Sequence, residues 1–539
     1  MNGGGYLSYV INRLFRLWPL LLFGGVTCLV FGWFMMLPDD FENTTQSIVA
    51  TNFFCNNILQ AITTKNYWDV VNEYKPLMHT WYVGLIMQFY VLVPLLLFAI
   101  GRVENDACRR KRLNIILMVT IGLVSFVAYS LEKNSASKFY YLPYRLYEFC
   151  AGGFVFYFWG MKQTSESRDI WTILSFVFVY FFVITFLFVN IEVVPRFIKL
   201  FLIIGMTSVL LVLMPRVKLA SGKVFSNKWV AAIGTACFSI FVWHQVVMAF
   251  IRYSFTNDLT KLLPLLTFVA ITFSLSVLSY KYVEQMRKTK LAWMLIGLLL
   301  VMTTGVSLYI YKNAGVVRNV PELEVIKGNV RRGMWAEYCD RGYLYDKEFT
   351  DSDNPKWYVI GNSFGRDMVN IILESDMSGK VDIAYSTPDT YKDKIERFRK
   401  ADVVFLSNLG VDESMIEDVL SRCSLETRLI IVGEKNFGEN NGQVYRHRFD
   451  KDYHQLTINM EEGYVEKNKR LKAKYSDNYI DMIAFVQKPD GRVSVFSSDG
   501  KFLSQDCRHL TQAGARYYAK LIQWNTIYKN NRKTDENTY

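Results

Sequence analysis

The sequence predicts a polytopic α-helical membrane domain followed by an α/β domain built on a parallel sheet. Three observations carry this. Of the 539 residues 51% are hydrophobic, and they gather between Leu14 and about Tyr311 in runs long enough to cross a bilayer core of roughly 30 Å as helices. From about Lys312 onward the chain becomes charged and polar, with apolar bursts of strand or helix length. Those later bursts alternate as strand and helix, which favours a parallel sheet covered on both faces.

The apolar runs predict helices over 14–37, 46–62, 79–100, 114–131, 143–160, 170–190, 198–214, 229–252, 262–283 and 291–311. Basic loops set their orientation, because positive charge is retained on the cytoplasmic side. Arg109, Arg110, Lys111 and Arg112 mark one such loop, Arg216, Lys218, Lys223 and Lys228 a second, and Lys281, Arg287, Lys288 and Lys290 a third. The loops around 132–138, 191–197 and 253–261 are less basic. Helix 291–311 therefore runs outward, and the polar domain is expected outside. Run 46–62 breaks the alternation. With Arg13 and Arg16 inside, the first helix ends outside near Asp39 and Asp40, where helix 79–100 must also begin. The run carries Asn52, Asn56, Asn57 and Gln60, so it is read as re-entrant or interfacial, with its polar groups enclosed by protein or a cavity.

The eight cysteines show no paired metal-type spacing, and three of them, Cys339, Cys423 and Cys507, fall in the polar part, leaving room for one disulfide at most. The net charge of +12 is accounted for mostly by the cytoplasmic loops and does not point to nucleic acid. The opening "MNGGGYLSYVINR" lacks the pattern of a cleavable signal peptide.

In the polar domain, "KWYVIGN", "VDIAYS", "DVVFLSN" and "RLIIVGE" are the strands. Reactive groups in such sheets gather at the carboxyl ends of strands, and Ser363, in "YVIGNSFGRD", sits just past the first. A serine needs a base, and the base needs an orienting group. "QDCRHLTQAGARYYAK" offers Asp506 and His509, three apart, which lets both side chains emerge on one side of a turn. The bland alternative is a strand-end turn at Ser363 and a surface histidine at a helix start.

An early Gly-x-Ser and a late Asp-x-x-His, in that order, resemble the SGNH hydrolase and esterase family, which implies a flavodoxin-like sheet with Ser363, Asp506 and His509 as catalytic triad. Family members usually have Gly-Asp-Ser, where this chain has Gly361, Asn362 and Ser363. The resemblance also implies an oxyanion hole from the Ser363 N–H and an asparagine side chain, for which Asn408 in "FLSNLG" is the candidate.

The motifs "YVINRLFRLWP", "HTWYVGLIMQFYVLVP", "LPYRLYEFCAGG", "FSIFVWHQ" and "SYKYVEQMR", in that order over residues 6–287, resemble the acyltransferase-3 family of membrane proteins, members of which often carry an SGNH domain after one extra helix. The resemblance implies acyl transfer, commonly of acetyl from cytoplasmic acetyl-CoA, to a cell-surface polysaccharide or lipid-linked glycan. It implies a multi-pass protein of the bacterial cytoplasmic membrane with an extracytoplasmic C-terminal domain. Other members open with one or two further helices bearing a histidine, and this chain is expected to start after both. Where the family often has glutamate in the "HTW…QFY" motif, this chain has Ile86 and Met87.

Ionisable groups in membrane segments are costly and face a cavity or a partner. Arg145 and Glu148, at i, i+3, are read as an ion pair or a substrate contact. His79, beside Trp81, is an interfacial anchor or part of an acyl path, and His244 is a packing histidine or a further candidate. Arg13 and Arg16 hold CoA phosphates or anchor the helix on the inside. The expected domains are 1–290 for the acyltransferase-like part, 291–311 for the extra helix, 312–350 for a linker, 351–530 for the SGNH-like domain and 531–539 for a polar tail. The leading function is a polysaccharide O-acyltransferase that uses Ser363 as acyl-accepting nucleophile. A membrane-anchored esterase, and a transporter or non-catalytic membrane protein, are the alternatives.

Overall fold

The computed structural model describes residues 5–64, 70–159, 199–200, 202–209, 227–254, 261–325, 341–438, 441–461, 463–504 and 506–529, with a few isolated positions besides. The expected helix 170–190, apart from two positions, and the basic residues Arg216, Lys218 and Lys223 lie outside the described residues, while the described part of the expected helix 198–214, residues 199–200 and 202–209, is helical. The contacts divide the chain into two compact units, one of residues 1–28, 47–250 and 258–305, the other of 29–46, 251–257 and 306–539.

The chain is a multi-pass membrane protein, and among the described residues five helices are long and apolar enough to span a bilayer: Tyr6–Met35, Met78–Val103, Ala107–Leu131, Leu262–Glu284 and Lys290–Lys312. The first, α1, begins before the expected position and tolerates Pro19 in its interior. The stretch expected as helix 46–62 is instead two helices, α2 (Pro38–Asn52) and α3 (Asn56–Thr63), separated by a turn in which Phe54 takes φ 56°. Next come α4 (Trp81–Val103) and α5 (Ala107–Leu131). α5 starts ahead of the predicted residue 114 because the Asp106 carboxylate caps it, accepting from the Arg109 N–H at 2.7 Å, so the basic cluster forms its first turns. α6 (Ser135–Tyr140) and α7 (Leu146–Trp159) follow. The run 229–252 is interrupted at Ala236 into helices Lys228–Thr235 and Cys237–Ser254.

Several buried polar side chains of the first unit are paired within it. Asn52 Nδ2 donates to the hydroxyls of Thr303 and Thr304 at 3.0 Å each. Asn56 Nδ2 donates to the Leu77 carbonyl and to the Thr80 hydroxyl, while Asn57 and Gln88 exchange amide hydrogen bonds and Asn57 also reaches the Tyr140 carbonyl. This enclosure is what polar side chains at membrane depth require.

The second unit holds five parallel strands, β1 (Lys356–Ile360), β2 (Asp382–Ser386), β3 (Val403–Leu406), β4 (Arg428–Val432) and β6 (Tyr479–Ile480), in the order β2-β1-β3-β4-β6. β5 (Thr457–Ile458) and β7 (Val493–Ser494) form a separate antiparallel pair. Successive strand residues point to opposite faces, so β1 divides itself between two cores. Trp357 and Val359 pack with Met368, Ile372, Ala515 and Tyr518, from helices Ser363–Leu373 and Gln512–Leu521. Tyr358 and Ile360 pack with Phe398, Ile416, Val419 and Leu471, from helices Ile395–Lys400, Glu413–Arg422 and Tyr464–Tyr475. Strands buried on both faces explain why the four runs read as continuously apolar. The strand order reverses between β1 and β3, and that crevice is where open α/β sheets place their ligands.

Candidate active site

β1 stops at Ile360 because the next residue must pass close to β3: a Cβ on Gly361 would lie 1.7 Å from the Ser407 carbonyl oxygen. Asn362 then caps the helix that begins at Ser363. Its Oδ1 accepts from the Phe364 N–H at 3.1 Å and from the Leu409 N–H at 3.3 Å, so one amide starts the helix and holds the β3 exit loop. The Ser363 N–H lies in the first helical turn, where backbone donors lack an intrahelical acceptor, and the helix dipole favours negative charge there.

On the far side of the crevice, Thr511 caps helix Gln512–Leu521 through the Gly514 N–H. The residues just before it form a tight turn around Asp506. Its Oδ1 accepts from the N–H groups of Arg508 (2.7 Å) and His509 (2.9 Å), and its Oδ2 lies 2.6 Å from His509 Nδ1. His509 Nε2 is 2.8 Å from Ser363 Oγ. The structure thus brings Ser363, His509 and Asp506 into one hydrogen-bonded chain. The His509 side chain is 31% exposed and that of Asp506 39%, so the chain is reachable from outside. Partial enclosure would raise the Asp506 pKa, but the His509 ring and the two backbone N–H groups outweigh it and hold the carboxyl well below the usual range. Such an arrangement can deprotonate a hydroxyl and return the proton to a leaving group.

Asn408 stands beside this chain. Its Oδ1 accepts from the Asn362 N–H at 3.0 Å, and its Nδ2 donates to the Leu409 carbonyl at 3.0 Å. Beneath the site lie two charges that the sequence reading missed. Asp367 and Lys435 are buried and 3.0 Å apart. Burial lowers the Lys435 pKa, and the Asp367 carboxylate opposes that shift. A signal existed in the spacing, since Asp367 is four residues after Ser363 on one helix face.

The membrane candidates fall in two clusters of the first unit. Arg13 and Arg16 line a cavity of about 370 Å³ with Tyr82, Tyr90 and Phe241, and the Arg13 guanidinium lies 4.8 Å from the Tyr90 ring centre. His79 is buried against Phe241 and His244, with ring centres 4.9 and 5.1 Å away. His244 Nδ1 is 2.6 Å from the Phe241 carbonyl oxygen. The second cluster pairs Arg145 with Glu148 at 3.1 Å, with the guanidinium over Phe139. Trp81 packs on Phe139 and Tyr140 in the same cluster. Cys423 and Cys507 are free thiols, so neither forms the disulfide that the count allowed.

These features define a class: a multi-pass membrane protein joined to a parallel α/β domain with a Ser-His-Asp chain at its switch point. The chain belongs to the acyltransferase-3 family, whose profile, described as "Acyltransferase domain", matches residues 1–312. Among curated proteins it is similar to a "Putative O-acetyltransferase" of Staphylococcus aureus strain COL, 23% identical over 289 residues, covering 51% of this chain and 46% of that protein. It is also similar to the "Peptidoglycan O-acetyltransferase OatA" of Listeria monocytogenes serovar 1/2a, 23% identical over 291 residues, covering 51% and 45%. The chain thus spans about half the length of the curated relatives it matches. No solved structure matches it.

Proposed function

We propose that the chain is a membrane O-acyltransferase that moves an acyl group, acetyl in the first instance, from cytoplasmic acyl-CoA to hydroxyls of a cell-surface polysaccharide. The observation that carries this reading is the hydrogen-bonded chain Ser363–His509–Asp506, in a chain whose membrane part is of the acyltransferase-3 family.

In the reading, His509 Nε2 takes the Ser363 proton as Oγ bonds the acyl carbon. The oxyanion that forms is met by the Ser363 N–H and, once turned from the Leu409 carbonyl, by the Asn408 amide. The donor's leaving group departs with the proton returned by His509, and an acyl-serine remains. A sugar hydroxyl then attacks that ester, giving its proton to His509, which returns it to Ser363 as the new ester leaves. Asp506 accepts from Nδ1–H throughout and keeps the imidazole in the tautomer the transfer needs. Arg13 and Arg16, at their cavity, suit the phosphates of CoA, and His79, His244, Trp81, Arg145 and Glu148 are the candidates for handling the acyl group within the membrane. In this reading the α/β domain works outside the cytoplasmic membrane, an orientation that the basic loops favour.

The test supplies the full chain in membranes with acetyl-CoA and peptidoglycan, then other surface glycans, and reads acetylated sugar by mass spectrometry. Acetylated glycan from the wild type and none from Ser363→Ala supports the reading. Free acetate without acetylated glycan supports an esterase instead, and normal acetylation by Ser363→Ala sinks the serine mechanism.

A further inference from the structure

We infer that Asp367 and Lys435 form a positioning pair that fixes the His509 ring against Ser363 by holding the neighbouring Leu510 N–H. The inference rests on the reading of Ser363 and His509 as nucleophile and base. Ser363 and Asp367 are one helical turn apart and share a face of the same helix. The first meets His509 through its hydroxyl at 2.8 Å. The second accepts from the Leu510 N–H at 3.0 Å through Oδ2. Two consecutive residues of the His509 loop are therefore attached to consecutive turns of the Ser363 helix. A loop held at two adjacent points cannot carry the His509 backbone, and with it the root of the imidazole, away from Ser363 without breaking the second attachment.

Lys435 completes the anchor from a third segment. It leaves β4 and places its ammonium 3.0 Å from the same Oδ2 and 3.7 Å from the centre of the Phe364 ring. The Arg366 guanidinium reaches Oδ1 at 3.3 Å. Asp367 is 1% exposed and Lys435 2%, so neither charge is there for solvation. Replacing a buried ion pair by apolar side chains is often neutral or stabilising. Stability alone therefore gives no reason to keep these charges, whereas an apolar residue at 367 would leave the Leu510 N–H without its acceptor.

The experiment separates these roles in the full-length protein. D367N/K435M removes both charges and keeps an oxygen that can accept from Leu510; D367L/K435M removes the charges and the acceptor. Both are assayed with p-nitrophenyl acetate, beside hydrogen exchange of the segment around Leu510 and thermal unfolding. We expect kcat of D367L/K435M to fall below that of D367N/K435M by about 10- to 100-fold, the scale of a misplaced catalytic group. KM should stay within about twofold, and exchange at Leu510 should accelerate only in the leucine variant. If D367L/K435M does not fold, D367A/K435M, which also lacks an acceptor, takes its place. Equal kcat and equal exchange in the two kinds of variant would overturn the inference. A wild type without Ser363-dependent ester cleavage would instead overturn the serine mechanism, and the exchange comparison would still decide whether residue 367 holds the His509 loop.

Discussion

Asn362 stands where the Gly-x-Ser motif raises an expectation of aspartate, and the structure gives the position an acceptor's task. Its Oδ1 takes the N–H groups of Phe364 and Leu409, which needs a lone pair and not a charge. Asn362→Asp should therefore fold and retain ester cleavage, whereas Asn362→Ala should lose about 1 kcal/mol of stability, the usual cost of a missing cap; denaturant unfolding of the two variants checks it. Ser363→Ala and His509→Ala should each lower turnover about as much as the double variant, at least about 10³-fold, because nucleophile and base act as a unit. Asp506→Asn should cost less than either, read with the same small ester. Asp506 also marks an acid limb. Its folded-state pKa is depressed, so its contribution is present at neutral pH and is lost as pH falls below about 4, the unfolded value, towards the folded one. Melting temperature should drop more steeply through that window in the wild type than in Asp506→Asn. Ser363, His509 and Asp506 were legible as candidates because each lies in a short local motif, and the structure brings them into one hydrogen-bonded chain. The spacing from Ser363 signalled Asp367 alone; its pairing with Lys435 was not legible, since only the folded sheet brings the β4 exit beside the Ser363 helix.

At the scale of elements, the stretch α2–α3 shows what the polar residues of a membrane segment are for. Asn57 donates to Gln88 and to the Tyr140 carbonyl, and Gly84 lets α3 approach α4, because a Cβ there would lie 2.7 Å from Asn57 Oδ1 and 3.0 Å from the Phe54 carbonyl oxygen. Asn57→Leu leaves buried partners unsatisfied, at about 1–3 kcal/mol for each group. Gly84→Val forces the two helices apart. Both should melt earlier than wild type in detergent, and an unchanged melting temperature for Asn57→Leu would show that water replaces the amide. The sequence marked this run as something other than a simple crossing through its asparagines. It did not reveal the turn between the helices, because a bulky residue at positive φ, as at Phe54, has no local signature and is imposed by packing. Strand order is similar. Alternating β and α runs predict parallel pairing, and the reversal between β1 and β3 emerges only from the way the crossovers pack.

For the whole molecule, the decisive quantity is the side of the membrane on which the α/β domain works, since the proposed function has an acyl group pass from cytoplasmic acyl-CoA to a glycan outside. The argument is electrostatic. Arg109, Arg110, Lys111 and Arg112 form the first turns of α5, and Arg287, Lys288 and Lys290 connect the spans Leu262–Glu284 and Lys290–Lys312. Translocating either cluster opposes the retention of positive charge on the cytoplasmic face. With the second cluster inside, Lys290–Lys312 is a single outward crossing, and at 23 residues and about 1.5 Å per residue it is long enough to cross the hydrocarbon. Protease added to intact spheroplasts should then remove an epitope placed after Lys529 and degrade the 341–529 region, while an epitope in the α4–α5 connection near Asp106 survives until lysis. Moving charge supplies a second arm: replacing Arg287, Lys288 and Lys290 by glutamine should raise the fraction of protein whose C-terminal epitope survives in intact spheroplasts, whereas the same change at Lys133 and Lys138 should not. Protection of the C-terminal epitope in intact spheroplasts, with digestion only after lysis, would place the Ser363 site on the same side as acyl-CoA and remove the need for transfer across the membrane.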